Sequence, residues 1–242
     1  MKHVGILAHS VEGAALCLRV FCHVGSRELG AHLHPDVTLD CIALGTCMAA
    51  WQQADYASIR ATMARNAARL AQAEANFFIC PNYAAHIALE EEGADLALPG
   101  LHIAEIVADH AARACNKRVG VLGANYLMGT ALCSQPFSAR GMRADLPEEQ
   151  ERHIIHEIIS RELVNGIVSD TSRQSCVRVI RQLQARGCDA VALACTEMPL
   201  LVTPGISPLP ILDSTRLLAR AAFEVAVGKL PMPSWRGGPI RT

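Results

Sequence analysis

Two short stretches of the chain carry residues able to do chemistry. Cys195-Thr196-Glu197 follows the apolar run Ala190-Val191-Ala192-Leu193-Ala194, and Cys80-Pro81-Asn82-Tyr83-Ala84-Ala85-His86 follows Asn76-Phe77-Phe78-Ile79. An apolar run that stops at a thiol and polar groups reads as a buried strand delivering reactive atoms at its carboxyl end, where open α/β sheets take their ligands. A thiol titrates within reach of neutral pH, and backbone N–H groups in the turn after a strand lower its pKa and hold anions. Cys195 is therefore the first candidate acid/base group, with Thr196 and Glu197 in the same turn. This reading requires the Cys195 sulfur to face an opening rather than a wall of aliphatic neighbours.

The matching position in the first half has two candidates. Counted from the basic residue that opens each half, Lys2 and Lys117, Cys80 and Cys195 both lie 78 residues on. Aligning Ala75–Ile79 with Cys188–Ala192 instead puts Asn82 opposite Cys195. Residues 80 and 82 share one side of an extended strand, so both stay open at this point.

These stretches must be held by elements that the chain repeats. Lys2-His3-Val4-Gly5-Ile6-Leu7 and Lys117-Arg118-Val119-Gly120-Val121-Leu122 share a basic pair, Val-Gly and two aliphatics, and read as the first strands of two related lobes. In the first lobe, Val37 to Leu44 reads as a second strand. Tyr56 to Ala75 reads as a helix with Ile59, Met63, Ala67 and Leu70 on one face, and a third strand ends at Cys80. In the second lobe one helix covers Glu148 to Val164. Another starts at the Thr171-Ser172 cap, keeps Val177, Ile180 and Leu183 on one face and stops at Gly187. A last helix runs from Asp213-Ser214 to near Gly228 and returns to the first lobe, and Pro231 to Thr242 is irregular. The alternation predicts an α/β fold of two similar lobes, each a parallel sheet flanked by helices, related by pseudo-two-fold symmetry and sharing a cleft. The lobes cover residues 1–105 plus 213–242 and residues 106–212.

Composition narrows the function further. A net charge of −1 over 242 residues gives no field to attract nucleic acid or an anionic membrane surface. No apolar run approaches the roughly 18 residues of a membrane span, and the first residues read as a strand rather than a signal peptide. Several of the ten cysteines, Cys17, Cys41, Cys115 and Cys176, lie in apolar patterns, as buried free thiols do, which points to a reducing cytoplasm.

The chain resembles the aspartate/glutamate racemase superfamily of cofactor-independent racemases and isomerases. The resemblance is carried by residues 3–7, Ser10 to Cys17, Cys80 to His86, Leu101 to Glu105, residues 119–123, Cys195-Thr196-Glu197-Met198-Pro199-Leu200-Leu201 and Leu212 to Arg216. It implies two cysteines, one per lobe, facing opposite sides of a substrate α-carbon. One removes the α-proton while the other donates. It implies no cofactor or metal, a small carboxylate or amino-acid substrate, and a homodimer.

Backbone N–H groups near Ser10 and Asn125 and beside Cys195 would stabilise charge on the substrate carboxylate. Tyr126 would line the cleft, and Arg173 would reach a distal carboxylate. The family's first motif is a cysteine followed by Asn-Thr-x-His, or Cys-Pro-x-Asn-Thr-x-His in one branch. Here His86 is kept and Tyr83 and Ala84 replace the Asn and Thr, with Tyr83 lining the same segment. Registered on His86, Asn82 takes the cysteine position, and an amide is no base near neutral pH. A one-cysteine lyase or decarboxylase, and a silent carboxylate-binding homologue, are the alternatives.

Other signals point nowhere. His153-Ile154-Ile155-His156-Glu157 is not in the order of the zinc-protease helices, His32-Leu33-His34 has no cysteine pair beside it, and the glycines are too sparse for a dinucleotide fingerprint.

Overall fold

The two Val-Gly strands are central in two parallel sheets of the computed structural model, which describes residues 1–240. The elements run β1 (Val4–Ala8), α1 (Val11–Leu29), β2 (Val37–Cys41), α2 (Met48–Gln52), α3 (Tyr56–Gln72), β3 (Phe77–Ile79), α4 (Ala85–Leu89), β4 (Gly100–Leu101) and α5 (Ile103–Arg113). The chain continues through β5 (Arg118–Gly123), α6 (Asn125–Met128), α7 (Gln135–Ser138), β6 (Arg143–Asp145), α8 (Glu149–Glu157), α9 (Asp170–Ala185), β7 (Ala190–Ala194), α10 (Met198–Leu201), β8 (Ile211–Asp213) and α11 (Ser214–Ala226). Strand order is β2-β1-β3-β4 in one sheet and β6-β5-β7-β8 in the other, every pairing parallel. The chain divides into two compact units. Unit 1 is Met1–Ile103 with the chain from Thr215 onward, and unit 2 is Ala104–Ser214.

The Val-Gly repeat has a packing cause. A Cβ on Gly5 would lie 3.0 Å from Leu70 Cδ1 of α3, and one on Gly120 would lie 2.8 Å from Leu183 Cδ1 of α9. Each glycine is a seat for a leucine of the helix crossing its sheet, so the two units use the same contact between strand and helix. β1 and β7 are buried along their whole length, as parallel strands covered on both faces must be. The predicted face of α3 is also the observed one, with Ile59, Met63, Ala67 and Leu70 all buried.

Several boundaries differ from the sequence reading. β2 ends at Cys41, not Leu44, because Leu44–Cys47 winds into a 3-10 turn. The helix expected over Glu148 to Val164 is α-helical only to Glu157. It then passes through a π turn, Ile158–Glu162, and a 3-10 turn, Leu163–Asn165. α9 is capped by Ser169, whose Oγ accepts the Ser172 N–H at 3.1 Å, two residues before the expected Thr171. Its inner face is Cys176, Val179, Ile180 and Leu183, while Val177 is only half-buried. Cys17 and Cys176 are buried free thiols, but Cys41 and Cys115 are exposed, Cys115 because it turns the chain out of α5 with φ of +59°.

Residues 227–240, after α11, contain no helix or strand, yet they are fastened to the rest of unit 1; residues 241–242 of the expected irregular segment lie outside the described residues. Trp235 O accepts from Gly100 N at 2.8 Å, Arg236 O accepts from Leu96 N at 2.9 Å, and Gly238 N donates to Leu89 O at 2.8 Å. No helix among the described residues is long and apolar enough to cross a membrane.

Candidate active site

In unit 2, β7 ends at Ala194 and hands the chain to Cys195. The Cys195 thiol donates to Glu197 Oε2 at 3.1 Å, and Thr196 Oγ1 donates to the same oxygen at 2.9 Å. Glu197 is 4% exposed, and its Oε1 is buried with no hydrogen-bond partner among the described residues. One carboxylate thus takes two protein donors on one oxygen and keeps the other oxygen unused. Burial of such an acceptor costs free energy unless a ligand or solvent completes it.

The thiol does not titrate as expected from its turn. Burial raises Cys195 well above the usual thiol range, and the adjacent Glu197 charge raises it further. The backbone amides of Glu197 and Met198 pull the other way and are outweighed. Nor does the sulfur face the opening that the sequence reading requires: Cys195 is a buried thiol, which corrects that expectation. Cys195 keeps 9% of its surface and packs with Leu193, Met198 and Leu201. It rests as a protonated thiol hydrogen-bonded to a carboxylate, not as a free thiolate.

In unit 1 the register separates the two candidates. Val4 pairs with Phe77, and Val119 pairs with Ala190. Asn82 and Cys195 each lie five residues past those partners, so Asn82 occupies the Cys195 position of its own sheet. Cys80 lies deeper. It is fully buried in an apolar cluster with Leu7, Met63 and Phe78, its thiol is pushed up to about 12 by burial, and it offers no base at the sheet edge. Within residues 80–86 only Asn82 is not buried. Its Oδ1 accepts the Ala85 N–H at 3.1 Å, so what the side chain can offer a ligand is its Nδ2 donor.

His86 and Tyr83, expected at the site, are interior groups. Tyr83 is 1% exposed. The His86 ring is completely buried, with Nδ1 3.0 Å from Asn82 O and Nε2 accepting from Ile103 N at 3.3 Å. These partners fix a neutral ring with its proton on Nδ1. His86 therefore meets the Asn82 segment through the Asn82 carbonyl. Arg173 is also already engaged. Its guanidinium pairs with Asp170 and donates from Nε to Leu201 O at 3.3 Å, tying α9 to the end of α10 rather than standing free for a distal carboxylate. Ser10 is half-exposed at the N-terminus of α1, where it makes no side-chain cap. Asn125 and Tyr126 are exposed just after β5, with Tyr126 edge-on to His156 at 5.9 Å.

A family model for Asp/Glu/hydantoin racemases matches residues 26–222. The chain belongs to that family. A Yersinia pestis protein provisionally assigned as an Asp/Glu racemase is 25% identical, with a TM-score of 0.81 over 94% of this chain and 100% of that one. An aspartate racemase homologue from Pyrococcus horikoshii is 19% identical, with a TM-score of 0.76 over 94% and 100%. Glutamate racemase from Francisella tularensis, solved with D-glutamate, is 11% identical, with a TM-score of 0.65 over 98% and 85%. Membership of the racemase family agrees with the α/β fold of two parallel four-stranded sheets.

Two groups near the Asn82 segment escaped the sequence reading. His102 lies with its ring 4.6 Å from that of His86 and its Nε2 2.9 Å from Glu90 Oε1, without the alignment of a hydrogen bond. Trp235 stacks on His86. Leu101-His102-Ile103 carried a family signal without a role, and Trp235 stands in a tail whose composition signals only irregularity.

Proposed function

We propose that this racemase-family chain is a cofactor-independent enzyme that moves a proton at the carbon next to the carboxylate of an acidic amino acid or related carboxylate. Cys195 and Glu197 are its working pair. The observation that carries this reading is the 3.1 Å contact between Cys195 Sγ and Glu197 Oε2. When substrate gives up its α-proton, the C–H bond breaks and sulfur takes that proton as its own S–H proton passes to Glu197. Reversal of the same shift returns a proton to the carbanion. A thiol held high by burial becomes a usable base only because its proton has a carboxylate to go to. The backbone N–H groups that follow β5 near Asn125, beside Cys195 because Gly123 pairs with Ala194, supply stabilisation for negative charge growing on the substrate carboxylate, and the Asn82 Nδ2 is the corresponding donor of unit 1's own sheet.

The chemistry is one-faced. Inversion needs a second acid/base group, and Cys80 is buried while Asn82 cannot accept a proton. This favours stereospecific exchange, or protonation after decarboxylation, over free racemisation. Incubation of L- and D-aspartate, L- and D-glutamate and a substituted malonate in deuterated water tests it. Expected is deuterium entering one substrate from a single face, with loss in Cys195→Ser. Equal formation of both enantiomers would restore a two-base racemase. No exchange on any of them, with unchanged ligand binding in Cys195→Ser, would leave a silent carboxylate binder.

A further inference from the structure

We propose that Trp235 is a positioning residue for the Asn82 segment, acting through the His86 imidazole. The inference rests on the reading of Asn82 as the ligand-facing group of unit 1. The indole lies parallel to the His86 ring, with centroids 5.8 Å apart and 11° between planes. It meets the His102 ring edge-on at 4.8 Å and the Phe78 ring at 6.1 Å. His86 is thus held between an aromatic face and two backbone groups, Asn82 O and Ile103 N. Remove the indole and the imidazole gains room to tilt. Its bond to the Asn82 carbonyl is the contact that suffers, because a hydrogen bond weakens steeply with angle.

The seat is built, not incidental. Trp235 Nε1 donates to Gly238 O at 2.9 Å, closing a turn in which Gly237 and Gly238 have φ of +81° and +78°, conformations that glycine adopts without cost. Arg236 Nη1 reaches Leu96 O at 2.9 Å and Ala97 O at 3.1 Å. Buried Arg60 donates to Leu89 O and Ala94 O and lies so close that a Cβ on Gly237 would come within 2.6 Å of its Nη1. Gly100, whose N–H holds Trp235 O, has no room for a side chain, since a Cβ there would lie 2.4 Å from Phe78 Cζ. The fastenings of residues 235–238 flank the placement of one indole over one imidazole.

Cys80 reports on this directly, since its thiol is completely buried and lies 3.9 Å from Asn82 O. Alkylation of the native protein, read by peptide mass spectrometry, compares Cys80 with Cys176, a buried thiol of unit 2. In Trp235→Ala, Cys80 is expected to label about tenfold faster with Cys176 unchanged, as local opening of one segment gives. Trp235→Phe, which keeps an aromatic face, should return the rate to within about threefold of the parent. Where exchange activity is present, Trp235→Ala should lower kcat about tenfold while KM stays within about twofold, and Phe should restore it. The proposal is overturned if Cys80 labels no faster in Trp235→Ala, or if Cys80 and Cys176 accelerate together, which is general destabilisation. Absence of exchange in the parent would sink the Cys195 reading alone, because the labelling ratio needs no activity.

Discussion

Cys195 and Glu197 form a thiol–carboxylate pair, Sγ to Oε2 3.1 Å, at the carboxyl end of β7. The carboxylate does two opposed things. It raises the thiol, which makes Cys195 a poor thiolate at rest, and it stands ready to receive the proton that sulfur must lose to act as a base.

Glu197→Gln separates these effects. With the negative charge gone, the pH midpoint for alkylation of Cys195 is expected to fall, because the carboxylate is the second cause of its elevation after burial. Catalysed α-deuterium exchange is expected to fall by roughly 10²–10³-fold, the usual loss when an acid/base partner is removed. A midpoint that stays or rises, with exchange intact, would show that Glu197 is only a hydrogen-bond acceptor.

Cys80→Ala is expected to behave as a core substitution. Cys80 is fully buried, so its truncation should cost about 1–2 kcal/mol in urea unfolding. Exchange should stay within about threefold of the parent. Loss of activity at full stability would return Cys80 to the chemistry.

Acid should loosen unit 1 first. His86 and His102 are held down to about 3 from an ordinary 6.5, His86 chiefly by burial with the nearby His102 adding to it, His102 by burial. The unfolded chain therefore binds protons that the folded one refuses. Stability is complete above 6.5 and falls as pH drops through the window from 6.5 to about 3. By pH 5 each histidine should remove about 2 kcal/mol. Hydrogen exchange at pH 7.5 and 5.0 checks this. Peptides covering residues 80–103 should lose protection before those of β7, and equal loss in both would refute it.

Asn82→Cys places a thiol at the position that corresponds to Cys195 in the other sheet. If the single-faced reading holds, this change should add inversion, seen as formation of the opposite enantiomer where the parent forms none. Chiral chromatography of the product decides it. Unchanged stereochemistry with a reactive new thiol would show that position 82 does not reach the reacting carbon.

Much of the framework is legible because it follows local patterns. The Val-Gly repeat marks both central strands, since a glycine is needed where Leu70 and Leu183 cross. β7 is a pure apolar run, and the face of α3 has helical spacing. The site is less legible because its decisive facts are long-range. Counting from the lobe starts favours Cys80 and aligning the strand residues favours Asn82, and the pairings of Phe77 with Val4 and of Ala190 with Val119 decide for Asn82. The sulfur at 195 reads as activated from its turn, but the fold that closes over it sets its titration. Val177 and Val179 fit a helical stripe equally well until the sheet beneath selects Val179. Trp235 gave no signal, because a stack across 149 residues leaves no local pattern.

Unit 1 is discontinuous. Its two segments, Met1–Ile103 and the chain from Thr215 onward, flank unit 2 in sequence. During synthesis, unit 2 can complete its strands while the ribosome still holds the C-terminal segment. The Trp235 seat can fill only after Trp235 itself has been added, later than every residue of unit 2. The half bearing Asn82 is then the last to mature, and a nascent chain cut short after α11 would leave an assembled thiol–carboxylate pair without its finished counterpart.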